Sequence, residues 1–588
     1  MRRVSFILLV AAAAAALLAV PALGAPRVGF GQPLYVSNTL AGGEPLILAD
    51  PIHHTIVYSS HEGTTHLYRP GLTAPIDLGV NYRNQVNIWT SKTGGRSWVR
   101  NDYAGTGSST DPTRNSGFSD PALTQDEGGR IYNTGINLAN DSLFSSGDGG
   151  LNWDRGTAQC HDGDRPWLAG AKRDQVYLAN EPAESSHTIF ESKDGGNTCS
   201  QNGPTDNGTL PDGTSYAGYG KLYYDHQRGM VAEPEILSKN GTTTGIGVGT
   251  WTPGDAKFTP HKVADTSIFA HFPIVSIDAA DNLYVIWDTD ERIKGTTGGC
   301  GPVLGAEEGT AALGENKENP SPNSIKLAVS KDFGKSFSAP TTIAAPPNTR
   351  VLWPWAAAGE AGRLSIVYYQ LDKVADSDCQ QAKVSVREAH ITGADNASTR
   401  SVTIVDPIGR PIHDGTVCQG GTTCVATGQD RRLGDFLSNS IDDYGCVMIG
   451  TGDTTRPDPT TGGPRPISLP LFVRQTSGES LTGADCAAVL RFEAGTGPPP
   501  HPSLTVAAGG VTASCSDRVR PVSRFARRGV LVTHRRTAFR GRSSDRGCRN
   551  AGTGYAVPGK VARVDFSISK VRRLANGRHV CRFARANA

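Results

Sequence analysis

Seven times along the chain a short apolar run, a turn and a second run ending in aromatic or β-branched residues follow one another. The first unit is Glu44-Pro45-Leu46-Ile47-Leu48 turning into Thr55-Ile56-Val57-Tyr58, and the second is Asp120-Pro121-Ala122-Leu123 with Arg130-Ile131-Tyr132. Asp164-Arg165-Pro166-Trp167-Leu168 with Gln175-Val176-Tyr177-Leu178 is the third, and a fainter fourth is Lys221-Leu222-Tyr223-Tyr224 with Met230-Val231-Ala232. Phe272-Pro273-Ile274-Val275 leads into Leu283-Tyr284-Val285-Ile286-Trp287, and Trp353-Pro354-Trp355 leads into Leu364-Ser365-Ile366-Val367-Tyr368. Asp435-Phe436-Leu437 with Cys446-Val447-Met448-Ile449 completes the set. Runs this short, bounded by Gly, Pro and Asp, predict paired strands rather than helices. Units recurring about every 45–80 residues predict a radial array of small sheets.

A second motif runs through the same units. Ser146-Gly147-Asp148-Gly149-Gly150-Leu151-Asn152-Trp153 shares its layout with Ser330-Lys331-Asp332-Phe333-Gly334-Lys335-Ser336-Phe337. Ser192-Lys193-Asp194-Gly195-Gly196-Asn197-Thr198-Cys199 differs at its last position, and Ser91-Lys92-Thr93-Gly94-Gly95-Arg96-Ser97-Trp98 lacks the Asp. A hydroxyl, a carboxylate two residues on and a glycine free to take φ > 0 are the chemistry of a tight corner. The terminal aromatic can then fold under the corner into the next apolar layer. Asp148, Asp194 and Asp332 are therefore expected to be structural. These octets resemble the Asp boxes of the sialidase-type β-propellers, over most of the chain up to about residue 475.

Together the two patterns predict an all-β chain: a seven-bladed β-propeller over residues 26–493, with six blades as the alternative. The known sialidases have six, so seven departs from that family. Gly-His…Trp-Asp and kelch signatures are absent. Pro33-Leu34-Tyr35-Val36-Ser37, ahead of the first unit, is placed to close the ring as the outer strand of the last blade, because an open ring would leave sheet edges unpaired.

Composition adds an address and a boundary. Arg2 and Arg3 precede an apolar run and a small-residue stretch ending at Ala25, which reads as a secretory signal peptide over residues 1–25. No later segment has the roughly 20 apolar residues of a membrane span. The 11 cysteines all follow that leader, as an exported, disulfide-bonded protein would have them, and no CxxC pair points to zinc or redox chemistry. Cys418 with Cys424, and Cys300 with Cys379, are possible bridges; the odd count leaves at least one thiol over. A net charge of +2 conceals a division: residues 501–588 hold 19 Lys and Arg against three Asp, a balance of +16. Residues 494–503 are the expected linker, and 504–588 a small basic β-sandwich, suited to anionic surface polymers or to a plain solvated surface. Export argues against nucleic acid as the partner.

With the octets in the turns from third to fourth strands, the long inserts 292–324, 372–382 and 453–466 belong to the opposite face, where binding loops are expected. Residues at the inner-strand starts ring the channel mouth there: Asp120, Asp164, Arg165, His271, Arg350, Trp353, Trp355, Arg432 and Asp435 as the candidate site, with Glu44, Tyr219 and Arg431 beside them. Aromatic platforms with carboxylates and guanidinium groups suit sugars. Trp167 and Phe436 read as core, and Asp164–Arg165 and Asp430–Arg431 are alternatively braces between blades. Asp288, Asp290 and Glu291 are a candidate Ca²⁺ set, an exposed acidic turn being the other reading; no other cofactor is expected.

The resemblance implies an arginine triad for a substrate carboxylate, a Tyr nucleophile paired with Glu and an Asp acid/base. Arg165, Arg350 and Arg432 are the arginines in position for such a triad, and nothing in the sequence sets a Glu beside Tyr368 or Tyr369. The leading expectation is accordingly a secreted propeller that binds glycans or other surface polymers at the mouth, and the alternative is a sialidase-type exo-glycosidase acting on terminal acidic sugars.

Overall fold

The computed structural model describes residues 27–496 apart from 69–85, 102–116, 138–139, 155, 158–159, 161–162, 182–186, 206, 241, 267–271, 301–317, 422–423 and 425–427, together with strands beyond residue 521. The leader read over residues 1–25, linker residues 497–503 and His271 lie outside the described residues. The chain divides into two compact units, Met1–Leu504 and Thr505–Ala588.

In the first unit seven blade sheets follow one another, built as chain-order meanders except for the outer strand of the last. Blade 1 runs Leu46–Asp50, Thr55–Ser60, Asn87–Ser91, Val99–Arg100, and blade 3 runs Asp164–Gly170, Val176–Glu181, Thr188–Ser192, Ser200–Gln201. Blades 2, 5 and 6 begin with Ser119–Gln125, Ile274–Ile277 and Val351–Ala358. Blade 4 is the faint unit of the sequence; its inner edge is split into Ser215–Tyr219 and Tyr223–Asp225, both paired with Met230–Lys239. Blade 7 runs Ser438–Ile441, Val447–Asp453, Leu469–Ser477, and its outer strand comes from the other end of the chain. Gly29–Phe30 and Leu34–Tyr35 pair antiparallel with Leu469–Ser477. The ring is thus closed as the sequence predicts, with seven blades, and the Tyr35 hydroxyl fixes the seam by donating to Asp453 at 2.7 Å.

The octets occupy third-to-fourth-strand corners, and their chemistry is uniform. Ser146 Oγ accepts the Gly150 N–H at 2.9 Å while Asp148 Oδ1 accepts those of Leu151 and Asn152; Ser192 with Asp194 and Ser330 with Asp332 repeat the arrangement. In the copy without Asp, the Thr93 hydroxyl takes the carboxylate's place and accepts the Ser97 N–H at 2.8 Å. The Ser336 hydroxyl, with burial working weakly against it, holds the Asp332 carboxyl down to about 2. Each corner also leans on the preceding blade: Thr55 and Thr90 of blade 1 donate to the carbonyls of Gly149 and Gly150, and Ser145 of blade 2 donates to that of Gly195.

One channel-side residue is out of keeping with its surroundings. Among the described residues Lys221, in the inner edge of blade 4, donates only to the carbonyls of Leu168 (3.3 Å) and Leu222 (3.4 Å) and lies 4.6 Å from the centre of the Tyr223 ring. Burial pulls its ammonium down to about 8. Between that value and the ordinary 10.5 the folded chain binds fewer protons than the unfolded one, so this group's cost is full at pH 7 and fades as pH rises to about 10.5. Lys221→Met is expected to raise stability by about 1–3 kcal/mol at pH 7. Urea midpoints should show the gain shrinking between pH 8 and pH 10; a gain constant over that range would refute the assignment.

The second unit shows three antiparallel pairs, Val522–Val532 with Thr537–Ser544, Cys548–Arg549 with Ala556–Val557, and Ser569–Arg573 with His579–Phe583. Packing of these pairs as a sandwich lies outside the described residues. In the first unit four disulfides form, Cys300–Cys379 and Cys418–Cys424 as foreseen, plus Cys160–Cys199 and Cys446–Cys486. This number fits an oxidising compartment. Cys486 opens the helix Cys486–Glu493, capped by Asp485 accepting from the Ala487 N–H, so the last bridge fastens that helix to blade 7. Among the described residues no helix is long and apolar enough to cross a membrane.

Candidate functional site at the channel mouth

The mouth is built on a repeated backbone irregularity. Glu44, Asp120, Arg165 and Trp353, each followed by proline, take φ of 51°, 49°, 53° and 58°, and Gly434 takes 73° just before Asp435. A proline has no N–H for the ladder, and the register slips beside it, between Ser119 and Ala122, Asp164 and Trp167, and Leu352 and Trp355. Left-handed backbone costs an L-residue about 1–2 kcal/mol, so four such residues at matching places in four blades are a built feature.

Two residues after the left-handed positions of blades 3, 6 and 7, large apolar side chains meet across the channel. Trp167 of blade 3 has ring centroids at 5.4 Å from Phe272 of blade 5, 6.0 Å from Trp355 of blade 6 and 5.5 Å from Phe436 of blade 7. Trp167 and Phe436 are core as expected. Trp355, read from the sequence as a mouth residue, is also part of this plug and only 3% exposed.

Above the plug sit acids. Glu44 is fully buried, its Oε1 accepting from the Asp435 N–H at 3.1 Å and lying 2.9 Å from His66 Nε2, its Oε2 accepting the Asp120 N–H at 3.4 Å. One carboxylate of blade 1 therefore brackets the strand starts of blades 7 and 2. Burial and the nearby Asp435 push the Glu44 carboxyl up to about 7. Burial, then Glu44 and Asp164, drive that of Asp120 well above the ordinary range. Arg431 opposes this charge with two 2.7 Å bonds to Asp435. Burial holds His61 and His66 well below their usual range, which favours the neutral ring in both.

The predicted residues thus separate. Asp120, Asp164 and Asp435 converge with Glu44. Arg165 lies with its guanidinium 5.3 Å from the centre of the Phe272 ring, and its carbonyl accepts from Tyr219. Trp353 rests on Tyr369 at 5.6 Å and takes an N–H···O bond from its own backbone to Asp288. The other two arginines of the supposed triad are engaged elsewhere. Arg350 is fully buried and bonds Asp290 at 2.6 Å; Arg432 bonds Asp430 through Nε and Nη2 and stacks over Tyr68. The brace read as Asp430–Arg431 is in fact Asp430–Arg432, with Arg431 serving Asp435. Asp290 also takes Arg292, and Asp288 accepts from Trp353, so the suggested Ca²⁺ set has its buried oxygens committed to protein donors. The Tyr369 hydroxyl meets Thr451, at 2.9 Å.

No protein-family model matches the sequence, and no curated protein does. Solved structures do. A protein of unknown function from Dyadobacter fermentans aligns over 77% of this chain and 99% of its own at 11% identity and a TM-score of 0.37. The intramolecular trans-sialidase from Ruminococcus gnavus aligns over 77% and 98% at 12% identity and 0.34. The GH93 alpha-L-arabinofuranosidase of Fusarium graminearum aligns over 76% and 97% at 13% and 0.33. At this distance the likeness is one of layout.

Two groups of polar residues were not singled out from the sequence. His61 and His66 flank the loop His61-Glu62-Gly63-Thr64-Thr65-His66 after the second strand of blade 1, and their rings stack at 4.2 Å. Glu233 and Glu235 are fully buried in blade 4, where Asn207 bridges them and His187 lies 2.8 Å from Glu233. The signals were present: a His pair beside a strand end, and two acids at i and i+2 in the apolar run Met230–Leu237.

Proposed function

We propose that the chain is an exported propeller that binds carbohydrate at the mouth, through the carboxylates of Asp120 and Asp164 above the aromatic plug. The observation that carries this reading is the convergence of Glu44, Asp120, Asp164 and Asp435 at the bulged strand starts, with Asp120 and Asp164 partly accessible where Glu44 and Asp435 are buried. A carboxyl group accepts from sugar hydroxyls in either protonation state, and its ionised form attracts amino groups and repels acids. The ligand class favoured is therefore neutral or amino sugar, whereas anionic polymers suit the C-terminal unit with its balance of +16.

A second reading, glycoside hydrolysis, has one observation in its favour. Glu44 and Asp120 bring carboxylate oxygens within 4.8 Å of each other, and retaining glycosidases work with carboxyl groups about 5–5.5 Å apart. The acidic-sugar version loses support, because Arg350 and Arg432 are bound to buried aspartates.

A glycan array separates these readings from the alternative of no ligand at the mouth. The chain is expected to retain neutral or amino glycans, and Asp120→Asn with Asp164→Asn to lose at least tenfold in affinity. Retention unchanged in the double variant would remove the mouth from consideration. Turnover of any fluorogenic glycoside, abolished by Asp120→Asn, would promote the hydrolase reading; sialoside turnover abolished by Arg165→Ala would restore the acidic-sugar version.

A further inference from the structure

We propose that Glu44, His66 and Asp120 bind one divalent transition-metal ion beneath the mouth. Each offers a ligand atom, and the three atoms lie within 4.8 Å of one another. The elements that supply them are independent: the bulge of blade 1, the loop after its second strand and the bulge of blade 2. One imidazole nitrogen with two carboxylates is a mixed N/O donor set, the chemistry of Zn²⁺ or Mn²⁺ rather than of Ca²⁺, which takes oxygen alone.

The surroundings have the form of a metal site's support. His66 Nδ1 lies 3.0 Å from the Thr65 hydroxyl, which fixes the ring so that Nε2 faces Glu44. A metal-bound histidine characteristically carries such a bond on its outer nitrogen. The Ser119 hydroxyl does the same for Asp120, donating to Oδ1 at 2.6 Å. His61 is fully buried and stacked on His66, with the Arg432 carbonyl as its backbone partner, so a second imidazole is packed beside the three ligands. Asp164 adds further negative charge beside Asp120, and a dication would offset it.

This inference stands apart from carbohydrate binding, because it is measured with no sugar present. The full chain, stripped with a chelator and exchanged into chelator-free buffer, is titrated with Zn²⁺ and with Mn²⁺ by calorimetry, and metal content is counted by mass spectrometry. One equivalent of either ion per chain is expected, with a rise in Tm. Asp120→Asn and His66→Gln are each expected to weaken binding at least tenfold while keeping the far-ultraviolet spectrum of the parent. Glu44→Gln is not the primary variant, since Glu44 also holds two backbone N–H groups. Asp154→Asn, at an exposed carboxylate that is not among the three ligands, should leave the affinity unchanged. Failure of both ions to bind stoichiometrically would overturn the proposal, as would affinity that survives His66→Gln and Asp120→Asn, or Ca²⁺ binding in preference to both.

Discussion

Gly150→Ala is expected to destabilise the propeller by about 2–5 kcal/mol, far more than an alanine at a comparably left-handed glycine in open space. Gly150 has φ of 80°, and a Cβ there would lie 2.6 Å from Val57 Cγ2 and 3.1 Å from Thr90 Oγ1, both in the preceding blade. Its carbonyl accepts from Thr90 and from Asn101 at 2.7 Å each, so the backbone is held against blade 1 and cannot draw back. Two costs then add: about 1–2 kcal/mol for the left-handed conformation and about 1–3 for overpacking. Gly213 supplies the control, with φ of 83° and nothing within 4 Å of its Cβ position, so that Gly213→Ala bears the conformational cost alone. Urea unfolding of the two variants beside the parent measures the difference. Equal losses would mean that the corner glycines serve their own turns and do not set the contact between blades.

That contact explains why so much of the fold could be read from the chain. An octet has to satisfy its own corner and fit the neighbouring blade, so its Ser, Asp and Gly are constrained locally and recur at fixed spacing. The turns between first and second strands carry a like constraint: Asp126, Asp278 and Asp442 each accept two backbone N–H groups of their own turn. Ring closure was legible for a related reason, since a strand pattern ahead of the first unit had no other edge to join. Blade 4 was faint because its inner edge is split and the paired acids Glu233 and Glu235 interrupt its apolar run.

The site was legible only as positions. Strand starts could be identified, and Asp120, Asp164 and Asp435 do meet there. Which charges remain available is decided by partners far along the chain, as in Arg350 with Asp290, and by alternation between adjacent residues. Arg431 and Arg432 illustrate the second case: neighbours in sequence, they point to different carboxylates, Asp435 and Asp430. Trp353 and Trp355 divide likewise, one against Tyr369 and the other in the plug. Spacing alone does not tell which member of such a pair faces the mouth, because the bulge at Pro354 resets the alternation between them.

The largest loss among the ionic contacts is expected for Arg431→Met, about 3–5 kcal/mol. Arg431 and Asp435 are 5% and 8% exposed and share two 2.7 Å bonds, yet the value of the arginine lies in what it leaves behind. Without it Asp435 would face Glu44 and Asp120 lacking both Arg431 bonds, in a region where burial already drives the Glu44 and Asp120 carboxyls upward. Replacing both partners removes the charge that Arg431 offsets, so Arg431→Met combined with Asp435→Leu is expected to recover most of the loss. The exposed pair Arg130–Asp154, with the aspartate 62% accessible, sets the scale for an ordinary surface contact, and Asp154→Ala should cost less than about 1 kcal/mol. A thermodynamic cycle over the four Arg431/Asp435 forms tests the argument directly. If the double variant were no more stable than Arg431→Met alone, the acids at the mouth would be tolerated for some reason other than this guanidinium. The bulged strand starts would then have to hold their charge by hydrogen bonds alone.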